Sequence, residues 1–216
     1  MSAEEGEGMS GRNAGMFATA VSIVALVLMG CGAAGAGGDG PGAGSPMSGL
    51  GSSFMLPAGM IEDWDGDDGE EASVVLLDAN GSVVHSYGPV VIDGGFFPGL
   101  QITTPPAGVL LTIGELSDEL NVELQTSDPG ARLQMFDEVT INRDSIFRQG
   151  DGVLVGWMYT DRNVAITAED DTTFPGFTMI VDLNLVTGWN RILVDPDLNE
   201  TTIGTGPEPA GARWVW

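Results

Sequence analysis

The chain has 216 residues and a formal net charge of −24, with 31 acidic residues against seven basic ones, all of them arginine. That leaves no positive footprint for a phosphate backbone, which argues against nucleic-acid binding, and anionic headgroups are equally poor partners. A single cysteine rules out an internal disulfide and a single histidine rules out a His-based zinc cluster.

Residues 16–29, MFATAVSIVALVLM, carry no charge and are almost all apolar. Fourteen residues suit the apolar region of a secretory signal and are short for a helix crossing a hydrocarbon layer of roughly 30 Å. The run ends in Leu28-Met29-Gly30-Cys31. On those four residues the chain resembles a bacterial lipoprotein precursor, whose lipobox reads Leu, a small residue, Gly or Ala, then Cys; Met29 departs from it. The resemblance implies cleavage before Cys31, a diacylglycerol thioether on its sulfur and an acylated amine. It further implies an exported protein held to the cell envelope, at the outer membrane, by that lipid. An uncleaved anchor is the alternative, because small and apolar residues continue to Ala34. A buried helix and an ordinary cleaved signal are two others. Glu4, Glu5 and Glu7 are wrong for the positive flank of a signal, whereas a start at Met9 leaves Arg12 in that place.

Residues 32–53, rich in Gly, Ala and Ser, read as a flexible tether. Residues 54–61 form a semi-apolar patch, an arm packed on the domain. The 62–71 stretch, EDWDGDDGEE, has seven carboxylates in ten residues. Asp63, Asp65 and Asp67 alternate as in the first half of a calcium loop. Gly66, Asp68 and Val74 then break the EF-hand pattern, so a solvated acidic linker is the competing reading. The domain boundaries that follow are 1–30 signal, 31–71 tether and 72–216 folded domain.

From residue 72 short strands and turns take over. Segments 73–77 and 82–87 form a hairpin around Asn80-Gly81. Strands are expected at 109–113, 121–125, 132–136 (or a short helix), 138–141, 152–159 and 162–168, with a late hairpin of 177–185 against 189–194. A closing strand at 212–216 has Trp214 and Trp216 at period two. No helix-length amphipathic run, βαβ alternation or strict repeat is apparent. Nine to eleven short strands with Gly/Pro-rich turns predict an all-β fold, a Greek-key β-sandwich ahead of a small barrel. Tyr159, Asp161, Arg162, Gly188, Trp189 and Asn190 are similar in pattern to strands of uncharacterised bacterial β-sandwich lipoproteins, a resemblance that implies no activity.

Chemistry is sparse. His85 reads as a strand residue; Ser82 or Ser86 would complete a Ser-His-Asp set only on paper, without a nucleophile elbow. Carboxylates are plentiful, but the spacing that makes a glycosidase pair is not legible from sequence. Calcium is the one cofactor in view, at Asp63, Asp65 and Asp67 or at Asp195, Asp197 and Asn199. Trp157, Trp189, Trp214 and Trp216 would either line a sugar-binding face or pack in the core. The leading expectation is a noncatalytic interaction or structural module with an envelope protein or glycan as partner. A calcium-assisted carbohydrate-binding module is the alternative and a glycan hydrolase the third reading.

Overall fold

The computed structural model describes residues 49–216 apart from 143 and 172–175. The signal, the Met9 start and Cys31 lie outside the described residues. Strands begin earlier than composition suggests: β1 (Gly49–Gly51), β2 (Phe54–Leu56) and β3 (Gly59–Glu62) precede residue 72 and belong to the folded domain. The hairpin of β4 (Glu71–Leu77) and β5 (Val83–Val91) follows. Its turn is held by Asp78 Oδ1, which accepts from the N–H groups of Asn80 and Ser82, and those bonds keep the Asp78 carboxyl below the usual carboxylate range. Next come β6 (Phe96–Phe97), β7 (Leu100–Ile102) and β8 (Leu111–Thr112).

Where the sequence suggests a strand at 109–113, a helix begins: α1 spans Ile113–Leu120. Thr112 caps it, accepting from the Glu115 N–H at 3.1 Å, while Glu115 Oε2 accepts from the Thr112 N–H at 2.7 Å. This reciprocal box satisfies two donors the first turn would otherwise orphan. Ile113, Leu116 and Leu120 are buried along one face of α1. Asn121 in the left-handed region ends it. Only Gln125–Thr126, β9, is extended in the expected 121–125 strand region.

The remaining chain is β10 (Arg132–Phe136), β11 (Glu138–Ile141), β12 (Asp144–Gly150), β13 (Val153–Thr160), β14 (Val164–Asp170), β15 (Thr178–Leu185), β16 (Gly188–Pro196), β17 (Glu200–Thr205) and β18 (Arg213–Val215). Eighteen strand segments among the described residues, rather than nine to eleven, form a sixteen-stranded sheet and a two-stranded one. The domain is mostly β and sandwich-like. Its main path runs β5-β4-β11-β12-β13-β16-β17-β15-β14-β9.

β13 and β16 are the shared wall of two cores. Leu154, Met158, Ile192 and Val194 face a core that α1, β14, β15 and β17 complete. Val155, Trp157 and Trp189 point the other way, into a core closed by β3, β4, β7 and β18. That is why β13 is apolar on both faces: alternation sends successive residues into different cores, and neither face meets water.

The second core is roofed by a two-stranded ribbon. Residues 54–60 run against 96–102 in continuous register, Phe54 opposite Ile102, Met55 opposite Gln101, Leu56 opposite Leu100, then Gly59 opposite Phe97 and Met60 opposite Phe96. Ladder pairing lapses midway, at Pro57-Ala58 and at Pro98-Gly99. There a Cβ on Gly99 would lie 2.6 Å from the Leu56 carbonyl oxygen, and φ is +82°, so only glycine fits. β3 joins the ribbon to the main sheet by pairing in parallel with β18, Ile61 beside Trp214. Among the described residues no helix is long and apolar enough to cross a membrane.

Candidate functional site

Three of the four tryptophans considered as ligand-facing are core residues: Trp157, Trp189 and Trp214 are 0–1 % exposed. They belong to one aromatic chain. Phe97 meets Trp214 edge-on at 5.0 Å, Trp214 stacks toward Trp157 at 6.2 Å, and Phe136 stacks on Trp157 at 5.1 Å. Phe54, from the ribbon, touches both Trp157 and Trp189. Two of the indole donors are satisfied by backbone carbonyls in or next to the roof. Trp214 Nε1 donates to the Pro57 carbonyl at 2.8 Å, and Trp189 Nε1 donates to the Thr103 carbonyl at 3.0 Å. The Tyr87 hydroxyl donates to the same Thr103 oxygen at 2.8 Å, and burial pushes its pKa up to about 12. A sugar-stacking face from these three indoles is therefore replaced by a pinned core, because the N-terminal ribbon covers them. Trp216 is half-buried, edge-on to Trp64 at 4.6 Å.

The 62–71 segment is a tied loop rather than a free linker. Gly69 N–H donates to the Ile92 carbonyl, Ile92 N–H to the Glu70 carbonyl, Gly94 N–H to Asp68 Oδ1, and Asn142 Nδ2 to Glu70 Oε1. Trp64 lies across Gly66 and Gly95 at its centre. Its Nε1 and Glu70 Oε2 are buried without a hydrogen-bond partner. Asp63, Asp65 and Asp67 are exposed around it. At the other acidic turn Asp197 Oδ1 accepts from Leu198 N–H, and the Asn199 carbonyl accepts from Thr178 N–H. These contacts stitch β16 to β17 and β15. Among the described residues no three His, Cys, Asp or Glu side chains converge to hold a metal ion, so neither calcium candidate is brought together as a cluster.

His85 sits edge-on to Tyr87 at 4.7 Å, while Ser82 serves the Asp78 turn. Gly188, Trp189 and Asn190 shape the turn between β15 and β16, but the expected hairpin of 177–185 against 189–194 does not form: β17 takes the place between the two strands, parallel to β15 and antiparallel to β16. Asn190 Nδ2 donates to the carbonyls of Val186 and Gly188, and its Oδ1 accepts from Val186 N–H. Asp161, whose carboxyl the Arg162 guanidinium holds low, accepts from Arg132 N–H and anchors the β13–β14 turn to β10.

Two charged arrangements escape sequence reading. Arg148 and Arg191 share Glu208, at 2.6 and 3.3 Å, with the Arg148 guanidinium 5.5 Å from the Trp214 ring centroid. Glu208 thus fastens the β17–β18 crossover against β12 and β16. Asp137, 6 % exposed, lies where the strand changes partner from β13 to β12. Burial and then the neighbouring Glu138 charge push its pKa up to about 7. Burial raises Glu138 as well, against a hydrogen bond with Ser145.

Among the described residues, a void of about 20 Å³ is lined by apolar residues including Leu116, Met135, Met158 and Ile192. It is far below the roughly 300 Å³ that a small-molecule site needs. The outward face of the ribbon is different: Met55, Met60 and Phe96 are 59, 61 and 43 % exposed. Nothing in the sequence pattern separates these from core residues, since the roof is not legible without its pairing partners. Comparison with protein-family models, curated proteins and solved structures returns no match.

Proposed function

We propose that this chain is a noncatalytic, lipid-anchored envelope protein whose β domain acts as an interaction or structural module. The observation that carries the reading is how the aromatic and polar side chains are spent. Trp157, Trp189 and Trp214 fill a core, the indoles of Trp189 and Trp214 donate to backbone carbonyls, and the acidic turns are tied to neighbouring strands. What is left for a partner is surface, including the uncharged outer side of the ribbon and the exposed valines of β5. Cys31 supplies the attachment, in keeping with its lipobox setting and with its place 18 residues ahead of β1. Export to the envelope, at the outer membrane, goes with that attachment. The Greek-key form of the sandwich belongs to the same proposal; what supports it is that β16 returns beside β13 after the β14–β15 hairpin, with β17 lying between β15 and β16.

Growth with labelled palmitate tests the anchor. The wild type should carry label and sediment with membranes, and the Cys31→Ser chain should do neither. An unlabelled wild type released in the soluble fraction would end the proposal.

A further inference from the structure

We infer that the outer face of the roof ribbon is a membrane-docking face, which lays the domain on the bilayer surface beside its own anchor. The inference rests on the lipid-anchored reading and says which side of the domain meets the lipid. Met55, Ala58, Met60, Phe96, Pro98 and Gln101 are all exposed on the two ribbon strands, and none is charged. In a chain with 31 carboxylates, an uncharged run across both strands marks a surface kept free for apolar contact. Met60 and Phe96 are cross-strand partners, so their side chains project together. Methionine and phenylalanine suit a fluid, irregular surface, because the thioether adapts its shape and the ring enters the interface without needing a hydrogen bond.

The occupant follows from where the chain outside the described residues ends. Seventeen residues separate Cys31 from Gly49, a reach of at most about 60 Å. β2 begins only five residues after Gly49, so the ribbon is the first outward-facing apolar surface the anchor meets. An anchored domain faces the bilayer at high effective concentration, and a few apolar side chains then suffice to hold an orientation. Charge sets the lipid. Exposed Asp63, Asp65, Asp67, Asp68 and Asp93 rim the Met60–Phe96 end, which disfavours an anionic surface and suits a zwitterionic one. The same rim, repeated on a second copy carrying the same net charge, disfavours self-association through this face.

Methionine oxidation reads the docking directly. The full-length chain, its Cys31 lipid confirmed by mass, is placed on phosphatidylcholine vesicles and treated with peroxide, and each methionine sulfoxide is mapped. Met55 and Met60 should oxidise at least threefold more slowly than in the vesicle-free Cys31→Ser chain. Half-buried Met135, away from this face, should keep its rate. Replacing a third of the lipid with phosphatidylglycerol should lessen the protection, as should a Phe96→Glu substitution in the lipidated chain. Equal rates for Met55 and Met60 on a chain that does carry the lipid overturn the docking face and leave the anchor standing. A chain without lipid by mass overturns the anchor, and the docking face with it. Protection that appears without vesicles and grows with protein concentration assigns the face to a second copy and overturns the membrane reading.

Discussion

Asp137 is the residue whose chemistry the fold alters most. It sits between Phe136, which pairs with Trp157, and Glu138, which pairs with Phe147, so its carboxyl is carried inward where the strand changes neighbours. Gly156 packs beside it: a Cβ there would meet Ile192 Cγ1 at 3.0 Å and would lie at ordinary contact distance, 3.4 Å, from the Asp137 Cβ. Burial favours the neutral acid and lifts the folded pKa to about 7, from an ordinary value of 3.8. Between those values the folded chain holds a proton that the unfolded chain has released. Stability from this group is therefore full below about pH 4, falls as pH rises through the window, and is lost above about 7. The shift corresponds to a loss on the order of 4 kcal/mol. Asp137→Asn removes the titration, so the variant should gain on the wild type between pH 5 and pH 8 in urea unfolding. A difference that stays constant across that range would show that the carboxyl is not titrating in the fold. Nothing in the sequence marks Asp137 out among 31 acidic residues, because burial is a property of the corner and not of the residue.

At the scale of elements, what was legible follows from apolar period and turn chemistry. The Asn80-Gly81 hairpin and β13 each have a run of β-branched or aromatic residues bounded by turn formers, and they fold where that pattern places them; β15 and β16 are strands as expected but do not pair with each other, because β17 lies between them. β12 and β17 were not legible. Within DSIFRQG only Ile146 and Gly150 are buried, and ETTIGT has one large apolar side chain, so neither shows a periodic face. They are strands because neighbours on both sides need their backbone. α1 is too short to display a helical period, yet Thr112 and Glu115 in capping-box spacing ahead of Leu116 and Leu120 were a readable sign of it. The roof ribbon depends on the close approach of its strands at Gly99, and that gives the element-scale test. Gly99→Ala would meet the Leu56 carbonyl at a positive φ and should cost about 2–3 kcal/mol. Gly108→Ala, with open space and no positive φ, should change stability by less than about 0.5 kcal/mol. Similar melting temperatures for the two variants would mean that the ribbon yields at Gly99 without loss.

For the molecule as a whole, composition and packing draw the domain boundary in different places. Composition puts it at residue 72, after the glycines and carboxylates. Packing puts it no later than Gly49, because Phe54, Leu56 and Ile61 belong to the tryptophan core or press against it. A 72–216 fragment would lose one strand of the roof, the Pro57 acceptor of the Trp214 indole and the Phe54 contact with Trp157 and Trp189. It would keep the helix-side core intact on paper. The two cores share β13 and β16, however, so wetting one face of that wall loosens strands that the other core is built on. Collapse of cooperative packing in both is the consequence, with much of the strand pairing retained. The 49–216 chain should therefore melt in a single transition with blue-shifted tryptophan emission. The 72–216 chain should show red-shifted emission, bind a hydrophobic dye and melt without a sharp midpoint. If the shorter fragment instead melts sharply near the same temperature, the two cores are energetically independent, and the ribbon is a cover rather than part of the fold.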